Sequence, residues 1–126
     1  MKRWQKENPE KTLPAWGDFT GVASTGHGPK KPIQLIALEP HPLSKDLPAN
    51  YSTTPTELYN NHYITPEVQP LIRGRQGKDE AVVAWLVPRG ASLLLGITLG
   101  HDSDEWQDPV FLKLLENGVN FLLGRE

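Results

Sequence analysis

The chain contains no cysteine. This excludes disulfides, thiolate metal sites and a cysteine nucleophile, and leaves the compartment open. Charge of one sign is missing too: 13 Lys and Arg stand against 15 Asp and Glu, a net −2. No global field draws such a chain onto nucleic acid or an anionic membrane, so neither is expected as a partner. Lys30-Lys31 and Arg73-Gly74-Arg75 are too short for basic patches and read as solvated loops. There is no long hydrophobic run. Leu93 to Leu99 is far too short to span a bilayer. Met1 to Pro9 starts basic but has no apolar stretch after it, so no signal peptide is visible; the default compartment is the cytoplasm unless a longer parent is exported.

What is present is one small domain's worth of chain, 126 residues with 12 prolines and 11 glycines, which implies a modest core and many turns. Residues 1–31 read as irregular, broken by Pro9, Pro14, Gly17, Gly21, Gly26, Gly28 and Pro29. Ile33–Leu38 reads as a strand, and Ser44 as the cap of a short helical turn before Pro48. Thr53–Tyr59 is a second extended segment, with Pro55 arguing for an edge, and Val68–Ile72 a weak third strand because Pro70 removes a donor. Ala81–Val87 is β-branched and aromatic, Pro88-Arg89-Gly90 is turn chemistry, and Leu93–Leu99 follows, so the two runs form an antiparallel hairpin. The second run is apolar on both faces, as in a strand buried between layers. A helix then starts at Asp108-Pro109, carries Phe111, Leu114, Leu115, Val119, Leu122 and Leu123 on one face, and stops at Gly124.

The strand end Leu99-Gly100-His101-Asp102 is where α/β proteins place chemistry. His101 there suits a general acid/base or a metal ligand, and Gly100 would let the backbone approach a ligand; a packing histidine is the plainer alternative. Glu57 is expected to pair with His101, orienting it or acting as the base, against the alternative of an exposed carboxylate. Tyr59 can offer a hydroxyl or simply pack. His27, between Gly26 and Gly28, can fold over a ligand or sit in a loose loop. His41 reads as structural and His62 as a loop residue without a role. Trp106 near Asp102 fits a sugar pocket, whereas the plainer reading has Trp106 anchoring its loop, with Asp102, Asp104 and Glu105 favouring the following helix. No HExxH and no helical His pair is present, so a divalent metal site would need tertiary convergence, and none is assigned. No GxSxG occurs, which argues against acyl transfer.

Four blocks carry a resemblance. His41-Pro42-Leu43 with Leu47-Pro48, Thr56-Glu57-Leu58-Tyr59, Val83-Ala84-Trp85 with Arg89-Gly90, and Leu99-Gly100-His101-Asp102 with Trp106 and Asp108-Pro109-Val110-Phe111 stand in one order. With Trp16–Phe19 and Thr25–Pro29 before them, they resemble the ThuA-like (trehalose utilisation) family. The resemblance implies an α/β fold: the C-terminal part of a flavodoxin-like, class I glutamine amidotransferase-like three-layer sheet ending in a β-hairpin and helix. It would divide the chain into an irregular segment, 1–15, and a partial ThuA-like domain, 16–126, whose first strands are expected to be missing. Ser92 and Leu93 depart from the family's glycine and arginine. The resemblance implies a trehalose-type disaccharide or keto-sugar as ligand, with His101 and Glu57 transferring protons and His27, Tyr59, Asp102 and Trp106 around the substrate; no cofactor is assigned. The alternative it leaves is a non-catalytic fragment or sugar-binding or interaction module that pairs with itself or with a missing N-terminal half.

Overall fold

The segment richest in β-branched and apolar residues forms the centre of the molecule. The computed structural model describes residues 6–7 and 15–125. In chain order these contain helix α1 (Ala15–Thr20), strands β1 (Val22–Ala23), β2 (Gly26–His27), β3 (Gln34–Ala37), β4 (Tyr59–Asn60), β5 (Tyr63–Ile64), β6 (Gln69–Gln76), β7 (Asp79–Arg89) and β8 (Ser92–Ile97), and helix α2 (Pro109–Leu122). Single 3₁₀ turns lie at Pro42–Ser44 and Ser103–Gln107. Four strands form a sheet in the order β3-β6-β7-β8, while β1 pairs with β5 and β2 with β4. Every one of these pairs is antiparallel. The class is therefore mixed α/β, with antiparallel ladders where the resemblance implies a parallel sheet.

β7 is buried on both faces from Ala81 to Val87. Its partner register skips Val83: Ile72 faces Ala84 while Arg73 faces Val82. Such a bulge flips the alternation. As a result Ala81, Val83, Ala84 and Leu86 all join one core with Ile33, Leu35, Leu43, Leu58, Leu71, Ile72 and Leu114. Val82, Trp85 and Val87 face the other way, onto Val22. Gly74 lies in the main core at a close approach, since an added Cβ would come within 2.8 Å of Ile33 and 2.9 Å of Val83.

The expected hairpin of β7 and β8 is present, paired from Ala84↔Ile97 to Arg89↔Ser92, but its turn is only Gly90-Ala91: Pro88 and Arg89, read as turn, continue β7. β8 is not buried between layers, however. It is an edge strand, and Leu93 is exposed. The third strand is stronger than Pro70 suggested. β6 runs eight residues, because Pro70 falls beside a register shift where a missing N–H costs little. Thr53–Tyr59 contributes one isolated bridge, Lys31↔Thr56, and the first residue of β4, while a second bridge, Gln34↔Ser52, lies just before it. Residues 15–27 hold α1 and two short strands instead of irregular chain. The expectation for the segment 1–15 falls almost wholly outside the described residues. The turn at 42–44 is capped by His41, whose Nδ1 accepts from Leu43 N, and not by Ser44.

α2 begins as read, with Asp108 accepting from Val110 N and Pro109 in the first turn. Its buried face is narrower than expected. Phe111, Leu114, Asn117 and Gly118 are covered, while Val119, Leu122 and Leu123 are exposed. Gly118 explains the choice: it lets the helix close on Leu95 and Leu43, which turns Val119 outward. Among the described residues no helix is long and apolar enough to cross a membrane.

Candidate functional site

Three loops that are distant in sequence meet near the C-terminal end of β6. The first carries His27 and Lys30, the second Thr56 to Tyr59, and the third Gly100 to Glu105. Antiparallel pairing of His27 with Tyr59 fixes the first two side by side. The Tyr59 ring has His27 edge-on at 5.9 Å and His101 edge-on at 5.9 Å. Glu57 Oε2 lies 3.6 Å from His27 Nδ1. Four of the residues singled out in the sequence thus share one surface cluster. Glu57 lies beside His27, and no contact with His101, its expected partner, is seen.

The loops are joined by groups to which the sequence reading gave no such role. Gln76, at the end of β6, is buried, and its Nε2 lies 3.0 Å from Pro29 O, 3.0 Å from Lys31 O and 3.1 Å from Thr56 O. All three are carbonyls, so this corner of the amide must be the donor. One side chain thereby holds the His27 and Glu57 loops together. Glu105 is 2% exposed, and its Oε2 accepts from Thr56 Oγ1 at 2.9 Å and from Asp102 N at 3.0 Å. It ties the Glu57 loop to the His101 loop. Its signal was legible: Asp102-Ser103-Asp104-Glu105 has capping-box spacing, and the box forms. Lys30, read as a solvated loop residue, places Nζ 2.7 Å from Asp102 Oδ2. This hydrogen bond holds the Asp102 carboxyl below the usual carboxylate range and raises the Lys30 ammonium. Arg73 and Arg75 likewise pair with Glu80.

Asp102 is engaged within the protein, with Oδ1 accepting from Asp104 N and Oδ2 from Lys30. Trp106 donates its indole N–H to Gly100 O at 2.8 Å and meets Phe111 edge-on at 5.1 Å. Both therefore shape the His101 loop. Gly100 sits at φ +96°, and an added Cβ would lie 2.8 Å from Phe111. The close approach expected there is thus made to Phe111. His41 packs edge-on against Phe121.

His62 is not idle. Its Nε2 is 2.9 Å from the Val82 carbonyl, which can only accept, so Nε2 carries the proton and Nδ1 accepts from Ser24 Oγ at 3.0 Å. Burial lowers its pKa. It joins β1 and β5 to the central strand.

Within the described residues no three His, Asp or Glu side chains are placed to hold a metal ion. No protein-family model matches this chain, and no curated protein matches it either. What the cluster can do chemically is set by its residues: two imidazoles and a carboxylate around a phenol, open to solvent on one side. Histidine moves protons near neutral pH, and polar rings and hydroxyls suit a polar, hydroxylated ligand.

Proposed function

We propose that this chain is a ThuA-like domain protein of carbohydrate catabolism. Its ligand is a trehalose-type disaccharide or keto-sugar, bound at the His27–Tyr59–His101 cluster. Its chemistry is proton transfer by histidine with Glu57 in support. The antiparallel sheet and its helices are read with it as part of a flavodoxin-like, class I glutamine amidotransferase-like architecture, whose parallel strands would lie outside the strand pairs of the described residues.

One observation carries this reading. His27, Glu57, Tyr59 and His101 lie on three separate segments, yet they gather around one ring. Buried Gln76 and Glu105 hold those segments in place. A sugar carbon next to a carbonyl loses its proton to a positioned base, and a histidine in such a role contributes about 10²- to 10⁴-fold. Asp102, Trp106 and Lys30 keep the His101 loop in register.

The test is titration calorimetry with trehalose and its keto derivative, followed by NMR of deuterium incorporation next to the carbonyl in D₂O. Saturable binding and exchange are expected. His101→Ala should abolish exchange with the fold intact, and unchanged exchange would overturn the role of His101.

A second reading, a non-catalytic sugar-binding or interaction module, is favoured by exposed apolar side chains, Leu93 on β8, which is an edge strand among the described residues, and Leu112, Val119, Leu122 and Leu123 on α2 and its C-cap. It predicts sugar binding that survives His101→Ala, or a self-associated or partner-bound species in light scattering, with no exchange.

A further inference from the structure

We infer that His27 Nε2 is the proton-accepting atom of this site, and that Glu57 is a positioning residue acting through the other ring nitrogen. The inference rests on the proton-transfer reading above and says which of its two histidines takes the proton from carbon, His101 on the same Tyr59 ring remaining necessary to exchange. Both the tautomer and the surroundings of His27 support it. His27 Nδ1 lies 2.8 Å from the carbonyl oxygen of Gly28. A carbonyl only accepts, so in the neutral ring Nδ1 carries the hydrogen and Nε2 carries the lone pair. Among the described residues Nε2 has no hydrogen-bond partner, and the His27 side chain is half exposed, so this lone pair faces a site that a ligand can reach.

Glu57 reaches the opposite nitrogen. Its Oε2 lies 3.6 Å from Nδ1, where a carboxylate stabilises the imidazolium formed when Nε2 takes a proton. Glu57 does not need to touch the substrate to do this. The carbonyl that fixes the tautomer is itself held. Gly28 N donates to Leu58 O at 2.9 Å, and the next residue's carbonyl, Pro29 O, accepts from Gln76. Gly28 also packs so closely on Gln76 that a Cβ there would collide with the Gln76 amide oxygen. A lone histidine in a glycine-rich loop would choose its tautomer freely; this one is set by its neighbours.

The step balances without a redox partner. The C–H bond next to the sugar carbonyl breaks, its electron pair forms the enolate C=C, the carbonyl π pair moves to oxygen, and the proton goes to Nε2. Return of a solvent-derived proton restores the ketone.

Two measurements test this on the whole chain. Long-range ¹H–¹⁵N spectra of neutral His27, assigned by loss of the signal in His27→Gln, should show the Nδ1–H tautomer; the Nε2–H form would overturn the inference. Deuterium exchange into the keto derivative of trehalose should fall about 100-fold or more in His27→Gln. In Glu57→Gln it should fall about tenfold with sugar affinity unchanged. Exchange at the wild-type rate in His27→Gln, or a Glu57→Gln loss as large as that of His27→Gln, would overturn the assignment while leaving proton transfer at this cluster standing. Absence of exchange in the wild-type protein would remove the proton-transfer reading and the catalytic assignment with it, whichever tautomer is found.

Discussion

Replacing Glu105 tests whether the site and the fold share one fastening. Both of its hydrogen bonds end on the same oxygen, Oε2, which accepts from the Thr56 hydroxyl and the Asp102 amide. In Glu105→Ala the Thr56 hydroxyl, on a residue only 2% exposed, loses its partner where water cannot replace it. A hydrogen bond to a charged group contributes about 1.5–3 kcal/mol, and an orphaned buried donor costs about 1–3 kcal/mol. Relief from desolvating a carboxylate offsets part of this. The net loss should be about 3 kcal/mol, a large share of the ~5–15 kcal/mol typical of a domain. Glu105→Gln should cost only about 1 kcal/mol, because the amide oxygen can accept both bonds where Oε2 does. Urea unfolding measures this: the midpoint should fall with the slope unchanged. In a double-mutant cycle with Thr56→Val, the two changes should be non-additive. A Glu105→Ala loss below about 1 kcal/mol, or a Gln variant as damaged as the Ala variant, would refute the reasoning.

Three further outcomes are expected. Gly74→Ala should destabilise by about 1–3 kcal/mol through overpacking against Ile33 and Val83, seen as a lower thermal midpoint. Gly100→Ala should cost about 1–3 kcal/mol from its left-handed φ and the Phe111 contact, with the His101 resonances moving in NMR spectra; an unchanged melt would count against it. His62 has a folded pKa below its ordinary 6.5, so the folded state binds fewer protons than the unfolded one. The corresponding stability is present above pH 6.5 and is lost as pH falls from there through the folded value. His62→Gln should flatten that part of the stability–pH curve, and an unaltered curve would contradict the Ser24–His62–Val82 arrangement.

Local chemistry made the hairpin and the last helix legible. Gly90 marked the hairpin's turn, although Pro88 and Arg89 before it stay in β7 and pair with Leu93 and Ser92, and Asp108-Pro109 with Gly124 bracketed a helix whose ends formed as read. The helix's buried face was not legible, because Gly118 decides it by admitting Leu43 and Leu95, and a small residue leaves no hydrophobic signal. The bulge at Val83 was hidden for a similar reason: period-2 patterning cannot show where a uniformly apolar strand slips by one. At the candidate site His27, Glu57, Tyr59 and His101 were recognisable as chemical types beside glycines and strand ends. Their pairing was not, since Glu57 meets His27 through a β-ladder between residues far apart in the chain. Gln76 gave no signal at all. A glutamine closing an exposed-looking strand is ordinary until three carbonyls turn out to face it.

Trp85 has a use beyond packing. Among the described tryptophans it is 5% exposed, against 75% for Trp16 and 53% for Trp106, and its indole N–H donates to Thr20 O at 2.7 Å. That bond ends on the last residue of α1, while Arg89, on the same strand, donates to the carbonyls of Asp18 and Phe19. Undocking of α1 would wet this indole before the central sheet opens. The protein therefore carries its own optical gauge: a red shift in emission ahead of the loss of strand circular dichroism would report the order in which its parts come apart.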